Sequence, residues 1–268
     1  MIPEKLRKEI RRQHFYDQAV TRNNDTGLDP KLLKMLTPDS VILKAGCGSA
    51  HTTALISHHL CGKGYALAAD ISLESLRNTF PIVKKTAAKN KLVLLQADAV
   101  QMPFADTSCD IIICRHLLMH INNPLSVLSE FRRMLKPGGF VRIQEGSLKH
   151  LQYFPQFKGW KIFMDFVSEF VTNPDIGNNL FKLLRTAGFS DLREEIIFSS
   201  AVNDDYRNNV LSWINALSDY SSILIEYGIS DEKSISAILN EGTQMLNSEA
   251  GQLSCREYII SGKNPLIT

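Results

Sequence analysis

Three short stretches carry residue types and spacings that could hold a ligand. Ala45-Gly46-Cys47-Gly48-Ser49-Ala50 sets two glycines at alternate positions, after one apolar run and before a helical pattern. Glycine there lets the chain turn sharply and approach a ligand with no Cβ in the way. Asp70 ends the second apolar run, and Asp98 ends the third within Gln96-Ala97-Asp98-Ala99. A carboxylate after a second strand can accept from both hydroxyls of a ribose. Taken singly, each acid reads as a helix N-cap. Taken with the glycine turn, they describe a crevice for a nucleoside. The turn lacks GxGxxG spacing, which disfavours a dehydrogenase.

Other candidates are weaker. His116 and His120 are four apart on one expected helical face, a spacing that also suits metal ligands. No third ligand is evident beside them, so a structural role is preferred. His51, His58 and His59 follow the glycine turn, and the last two are expected to face solvent. Cys47, Cys61, Cys109, Cys114 and Cys255 are odd in number and show no CxxC. That argues against a disulfide framework or zinc site and for a reducing compartment.

The elements that must position these residues follow from the pattern of apolar runs. Val41–Ala45, Tyr65–Ala69, Leu92–Ala97, Ile111–Cys114 and Phe140–Gln144 are short, continuous and rich in Val, Ile and Leu. Strands covered on both faces read this way. Helical stretches lie between them. One opens at Pro124, sets Leu125, Leu128, Phe131 and Leu135 at helical spacing, and is expected to stop at Lys136-Pro137-Gly138-Gly139. Strand and helix in alternation imply right-handed crossovers and a parallel sheet. The expected class is α/β, doubly wound and Rossmann-like, with a seven-stranded, mostly parallel sheet and helical lid insertions.

Residues 1–39 read as an N-terminal helical cap, and residues 40–202 with 251–268 as the core. Two late strands are expected at Leu192–Ser199 and Ser254–Ser261, the second of mixed polarity. Between them, residues 203–250 read as a helical insertion, a lid or an interface. Its stripes run through Tyr206, Val210, Trp213 and Leu217, then through Ile235, Leu239, Gly242 and Leu246. Residues 155–171 form a further expected helix, apolar around most of its circumference.

Composition narrows the rest. Thirty Lys+Arg against 28 Asp+Glu in 268 residues leaves a formal charge of +2, so nothing in the balance points to nucleic acid. No apolar run approaches the ~18 residues that span a bilayer. The charged N-terminus has no apolar signal core, and the expected location is cytoplasmic.

Val41–Ala50, Ala69-Asp70-Ile71-Ser72, Gln96–Phe104, Cys109–Ile121 and Leu135–Gly139, in this order, resemble the motifs of class I S-adenosylmethionine-dependent methyltransferases. The resemblance is strongest over residues 40–145 and points to small-molecule enzymes such as the ubiquinone and menaquinone methyltransferases. It implies S-adenosylmethionine as cofactor and a small-molecule methyl acceptor. In that reading Gly46 and Gly48, with Ala45, pass under the methionine part. Asp70 would hold the ribose, with Ile71 against the adenine. Asp98 would accept from the adenine amino group, and Ala99 would offer its amide. Cys114 and Arg115 match positions bordering the methionine moiety, and Tyr16 the aromatic residue that often covers the cofactor. No catalytic residue is assigned.

One departure concerns charge. The family usually carries a carboxylate two residues before the first glycine, and here that residue is Lys44. At an effective dielectric of ~20, unit charges ~4 Å apart interact by roughly 4 kcal/mol, and reversing the sign doubles the difference. Lys44 is open to three readings: an exchanged carboxylate, the mark of a non-catalytic binding or scaffold protein on the same fold, or a lysine whose ammonium reaches water. On the first, Lys44→Glu is expected to tighten cofactor binding without changing the fold. A milder departure is Ala50, where a third glycine is common.

Overall fold

The structure is a computed structural model, and it describes residues 30–48, 50–88, 91–156 and 171–266. Tyr16, most of the expected cap and most of the expected helix at 155–171 lie outside them.

Two compact units divide the chain. The larger comprises residues 19–145, 176–195 and 258–268. Its described part opens with the short helix α1 (Pro30–Leu33), followed by β1 (Val41–Ala45), α2 (His51–Ser57), β2 (Tyr65–Asp70), α3 (Leu73–Thr86), β3 (Leu92–Gln96) and β4 (Cys109–Arg115). After β4 come a 3-10 turn (Leu118–His120), α4 (Pro124–Met134), β5 (Leu135–Gly146) and, after a stretch in the other unit, α5 (Ile176–Thr186). The first parts of β7 (Ser190–Val202) and the last of β8 (Gln252–Lys263) complete it. The strand order is β3-β2-β1-β4-β5-β8, with β7 also paired to β8.

Every expected strand is present. β1 pairs in parallel with β2 and β4, Lys44 lying opposite Ala68 and Ile113, and Ala45 opposite Ala69 and Cys114. The continuous apolar runs follow from coverage on both faces. Leu43, Ile112, Val141 and Ile143 pack with Leu128 and Phe131 of α4 and Leu180 and Leu184 of α5. Ile42, Ala66, Ile111 and Ile113 pack with Leu32, Ile56 and Leu60.

The end of α4 differs from expectation. Pro124 does open the helix, and Val127, Leu128, Phe131 and Met134 are its buried face. It stops one turn before the glycines, because Leu135 is already extended and begins β5. Gly138, at φ +75°, instead bends the start of β5 so that its N–H donates to Asn264 O at 2.8 Å.

In the smaller unit, described residues 146–156, 171–175 and 196–257 hold β6 (Gln152–Phe154), α6 (Asn203–Asp219), α7 (Ser221–Glu226) and α8 (Glu232–Leu246). β6 pairs antiparallel with the first residues of β8, and it is the eighth strand, absent from the expected seven. Three residues, Gln152-Tyr153-Phe154, give too short an alternation to read from sequence. α8 starts at Asp231, whose carboxylate accepts from Ser234 N at 2.9 Å. Its buried face is Ile235, Ile238, Gly242 and Met245, so the expected Leu239 and Leu246 lie half-buried at its margin. Among the described residues, no helix is long and apolar enough to cross a membrane.

Candidate functional site

Three left-handed residues cluster just after β1. Gly46 has φ +62° and Gly48 φ +50°, and Ala50 follows at φ 49° with no glycine to ease it. Cys47 N donates to Ala69 O at 3.0 Å, which binds the turn to the end of β2. Thr79 on α3 adds a hydroxyl bond to Gly48 O at 3.3 Å. The turn is therefore fixed by neighbours on two elements. A Cβ on Gly46 would stand 3.1 Å from two atoms of Leu117. Gly46→Ala combines that clash with a left-handed backbone, and it is expected to lower stability by about 2 kcal/mol in a urea titration.

Asp70 closes the same ring. It is 4% exposed, its Oδ2 accepts from Gly48 N at 3.0 Å, and its Oδ1 accepts from Ser72 N at 3.0 Å. The cap of α3 is Ser72, which accepts from Ser75 N, so capping does not explain Asp70. Burial pushes the Asp70 carboxyl up, against the pull of the Ser72 and Gly48 amides and of Lys44. A carboxylate offers about four acceptor positions, so two amides leave room for two hydroxyls. Ile71, beside it, is 50% exposed.

Asp98 lies just past β3, exposed, and its Oδ1 accepts from Val100 N at 2.9 Å. Ala99 is buried. The loop that follows is held from α4: Met102 N donates to Glu130, and Arg133 reaches Met102 O, Phe104 O and Asp106. The loop of Met102 and Phe104 is thus held by a polar clamp. Arg133 draws the Glu130 carboxyl down from the usual carboxylate range.

Lys44 is largely withdrawn from solvent. It is 6% exposed, and burial pulls its ammonium down from the ordinary lysine value. Cys114 and Glu145 oppose that shift, whereas Arg115 adds to it. Burial makes Lys44 a costly group to keep charged, unlike a lysine lying along the surface. Burial also sends the Cys47 thiol up to about 12 and the Cys114 thiol higher still, so neither is a ready nucleophile. Arg115 ends β4, half-buried.

The histidines do not share a helical face. His116 has φ +50° and donates its N–H to Gln144 O, while His120 ends the 3-10 turn. Among the described residues, no cluster of three or more His, Cys, Asp or Glu could hold a metal ion.

One acid was missed in the sequence. Glu145 is the last residue but one of β5, is wholly buried, and its Oε1 accepts from Leu117 N at 2.9 Å and Leu118 N at 2.7 Å. It sits at the carboxyl end of its strand, as Asp70 and Asp98 do. The rule that identified those two covers it as well, but the fifth strand was expected to end at Gln144.

The donor set fits a nucleoside with an amino-acid arm. An open-backboned turn, an acid at the end of β2, a second acid after β3 and an exposed aliphatic side chain between them match hydroxyls, an exocyclic amine and a purine face. Lys44 alone does not suit a cationic arm.

Residues 43–143 match the model of the methyltransferase domain family. Demethylmenaquinone methyltransferase of Staphylococcus epidermidis is 33% identical over 129 residues, covering 48% of this chain and 51% of that one. The chain thus spans about half the length of the curated relatives it matches. Among solved structures, a proposed methyltransferase from Bacillus halodurans aligns with a TM-score of 0.60 at 18% identity, covering 91% of this chain and all of that one. Haemonchus contortus phosphoethanolamine N-methyltransferase 2, in complex with phosphomonomethylethanolamine and S-adenosylhomocysteine, aligns at 0.59 and 16%, covering 91% and 53%. At such identities the structural likenesses bear on the fold.

Proposed function

We propose that this chain, whose residues 43–143 match the methyltransferase domain family, is a class I methyltransferase that transfers a methyl group from S-adenosylmethionine to a small-molecule acceptor. The observation that carries the reading is the ring at the carboxyl edge of the sheet, in which Gly48 N–H is bound to the Asp70 carboxylate beneath a glycine turn.

S-adenosylmethionine supplies, when bound, a methyl group on a sulfonium that an acceptor can take by in-line displacement. The chain's own part is to bind and orient. Asp70 takes the ribose hydroxyls, Ile71 faces the adenine, and Asp98 with the Ala99 amide reads its edge. Gly46 and Gly48 let the backbone run beneath the amino-acid arm, with Arg115 nearby. Orientation of this kind supplies much of the rate in a displacement. The acceptor is a small molecule of some apolar character, a class supported by the quinone methyltransferases among the relatives.

Asp70→Ala removes the ribose acceptor and also unties Gly48 and Ser72. The dissociation constant for S-adenosylhomocysteine, read by calorimetry, is expected to rise by roughly 1.5–3 kcal/mol in free energy. An unchanged constant rejects the ribose assignment, and an unaltered chain that does not bind at millimolar ligand rejects the function. Transfer of a labelled methyl group into a demethylated quinone, and not into protein or nucleic acid, is the expected result for the acceptor.

A further inference from the structure

We infer that Glu145 supplies the anionic acceptor for the cationic amino group of the cofactor's amino-acid arm, a duty that the family pattern gives to residue 44. The inference rests on the cofactor reading above and deepens it.

Of the two buried acids among the described residues, Glu145 has an unused oxygen. Its Oε1 takes the two amides of Leu117 and Leu118, while its Oε2 is buried without a hydrogen-bond partner among the described residues. Asp70, the other buried acid at this edge, has both oxygens engaged. A buried carboxylate oxygen left without a donor is costly, so it calls for a partner that the described residues do not supply.

Place and charge then indicate which partner. Leu117, whose amide Glu145 holds, is the residue that meets Gly46. Glu145 is thus one residue removed from the glycine turn. It lies at the junction of β4 and β5, where His116 N bonds to Gln144 O. Facing it are Lys44 from β1 and the Cys114 thiol from β4. Lys44 cannot accept an ammonium, and it does not donate to Oε2. A cationic amine is the ligand group that answers the free oxygen, and an acid on β5 restores the sign that Lys44 removes from β1.

Two probes test this on the full chain. S-adenosylhomocysteine carries the amino-acid arm, and 5′-methylthioadenosine has the same nucleoside and thioether without it. Glu145→Gln keeps an oxygen for the Leu117 and Leu118 amides but removes the charge. It is expected to weaken S-adenosylhomocysteine about tenfold at pH 7.5 and to leave methylthioadenosine within about twofold. Equal weakening of both would show that Glu145 acts only by positioning the loop, and no weakening would show that it does neither. Either result overturns the inference. Should the variant fold poorly, the unaltered chain gives a second reading. Its preference for S-adenosylhomocysteine over methylthioadenosine should grow several-fold from pH 6 to 7.5 as Glu145 ionises, and a flat ratio overturns the inference. Binding of neither nucleoside by the unaltered chain would instead reject the cofactor reading itself.

Discussion

Lys44→Glu should unfold at a clearly lower urea concentration than the unaltered chain, with a loss of about 3–5 kcal/mol. The residue is 6% exposed on β1, wedged between Ala68 of β2 and Ile113 of β4. Its positive charge draws down both the Asp70 and the Glu145 carboxyls. A glutamate there would add a third buried acid to two that burial already pushes up. The chain would then keep a proton on one of them or lose the packing around β1. Lys44→Met, with similar volume and no charge, should cost less than about 1 kcal/mol, or even stabilise, since it removes a buried ammonium. Equal urea midpoints for the two variants would show that charge at this position is solvated after all. The family pattern alone suggests the opposite outcome for Lys44→Glu, a tighter cofactor and an unchanged fold. Burial decides between them.

What could be read from the sequence, and what could not, divides along the range of the interactions. β1 to β5 were legible because a doubly covered parallel strand leaves a run such as Val41–Ala45 with little polar interruption. Asp70 was legible for a related reason: it follows such a run directly and is followed by a capping serine. Lys44 was visible as an oddity, but its burial depends on Ala68 and Ile113, which adjacent strands bring beside it. Glu145 was hidden for a similar reason. Gln144-Glu145-Gly146 reads as a strand leaving the core, and only the loop after β4, folded back to present two amides, makes the acid a buried acceptor. The end of α4 turned on the Asn264 contact, more than a hundred residues away in sequence.

Glu145 also links function to stability with a sign that can be checked. Burial raises its carboxyl to about 7, despite the amides of Leu118, Leu117 and Met119 and the charge of Lys44. An acid raised in the folded state binds its proton more tightly there than in the unfolded chain. Stability from this group is therefore complete below about pH 4.5, falls between 4.5 and 7, and is lost above 7. The swing amounts to roughly 3 kcal/mol at 1.36 kcal/mol per pH unit. Glu145→Gln cannot ionise, so the stability difference between the variant and the unaltered chain should shift in the variant's favour by about that much from pH 4.5 to 8. At pH 8 the net gain should be nearer 1–2 kcal/mol, because the new amide N–H group takes over the unpartnered place of Oε2. Urea titrations of both proteins across that range read the difference directly, and a constant difference would mean that Glu145 titrates as an ordinary carboxylate. If the glutamine variant is the more stable chain at pH 8 and also the weaker binder of S-adenosylhomocysteine, the buried charge is held at the expense of stability. A ligand cation is then the partner that offsets it.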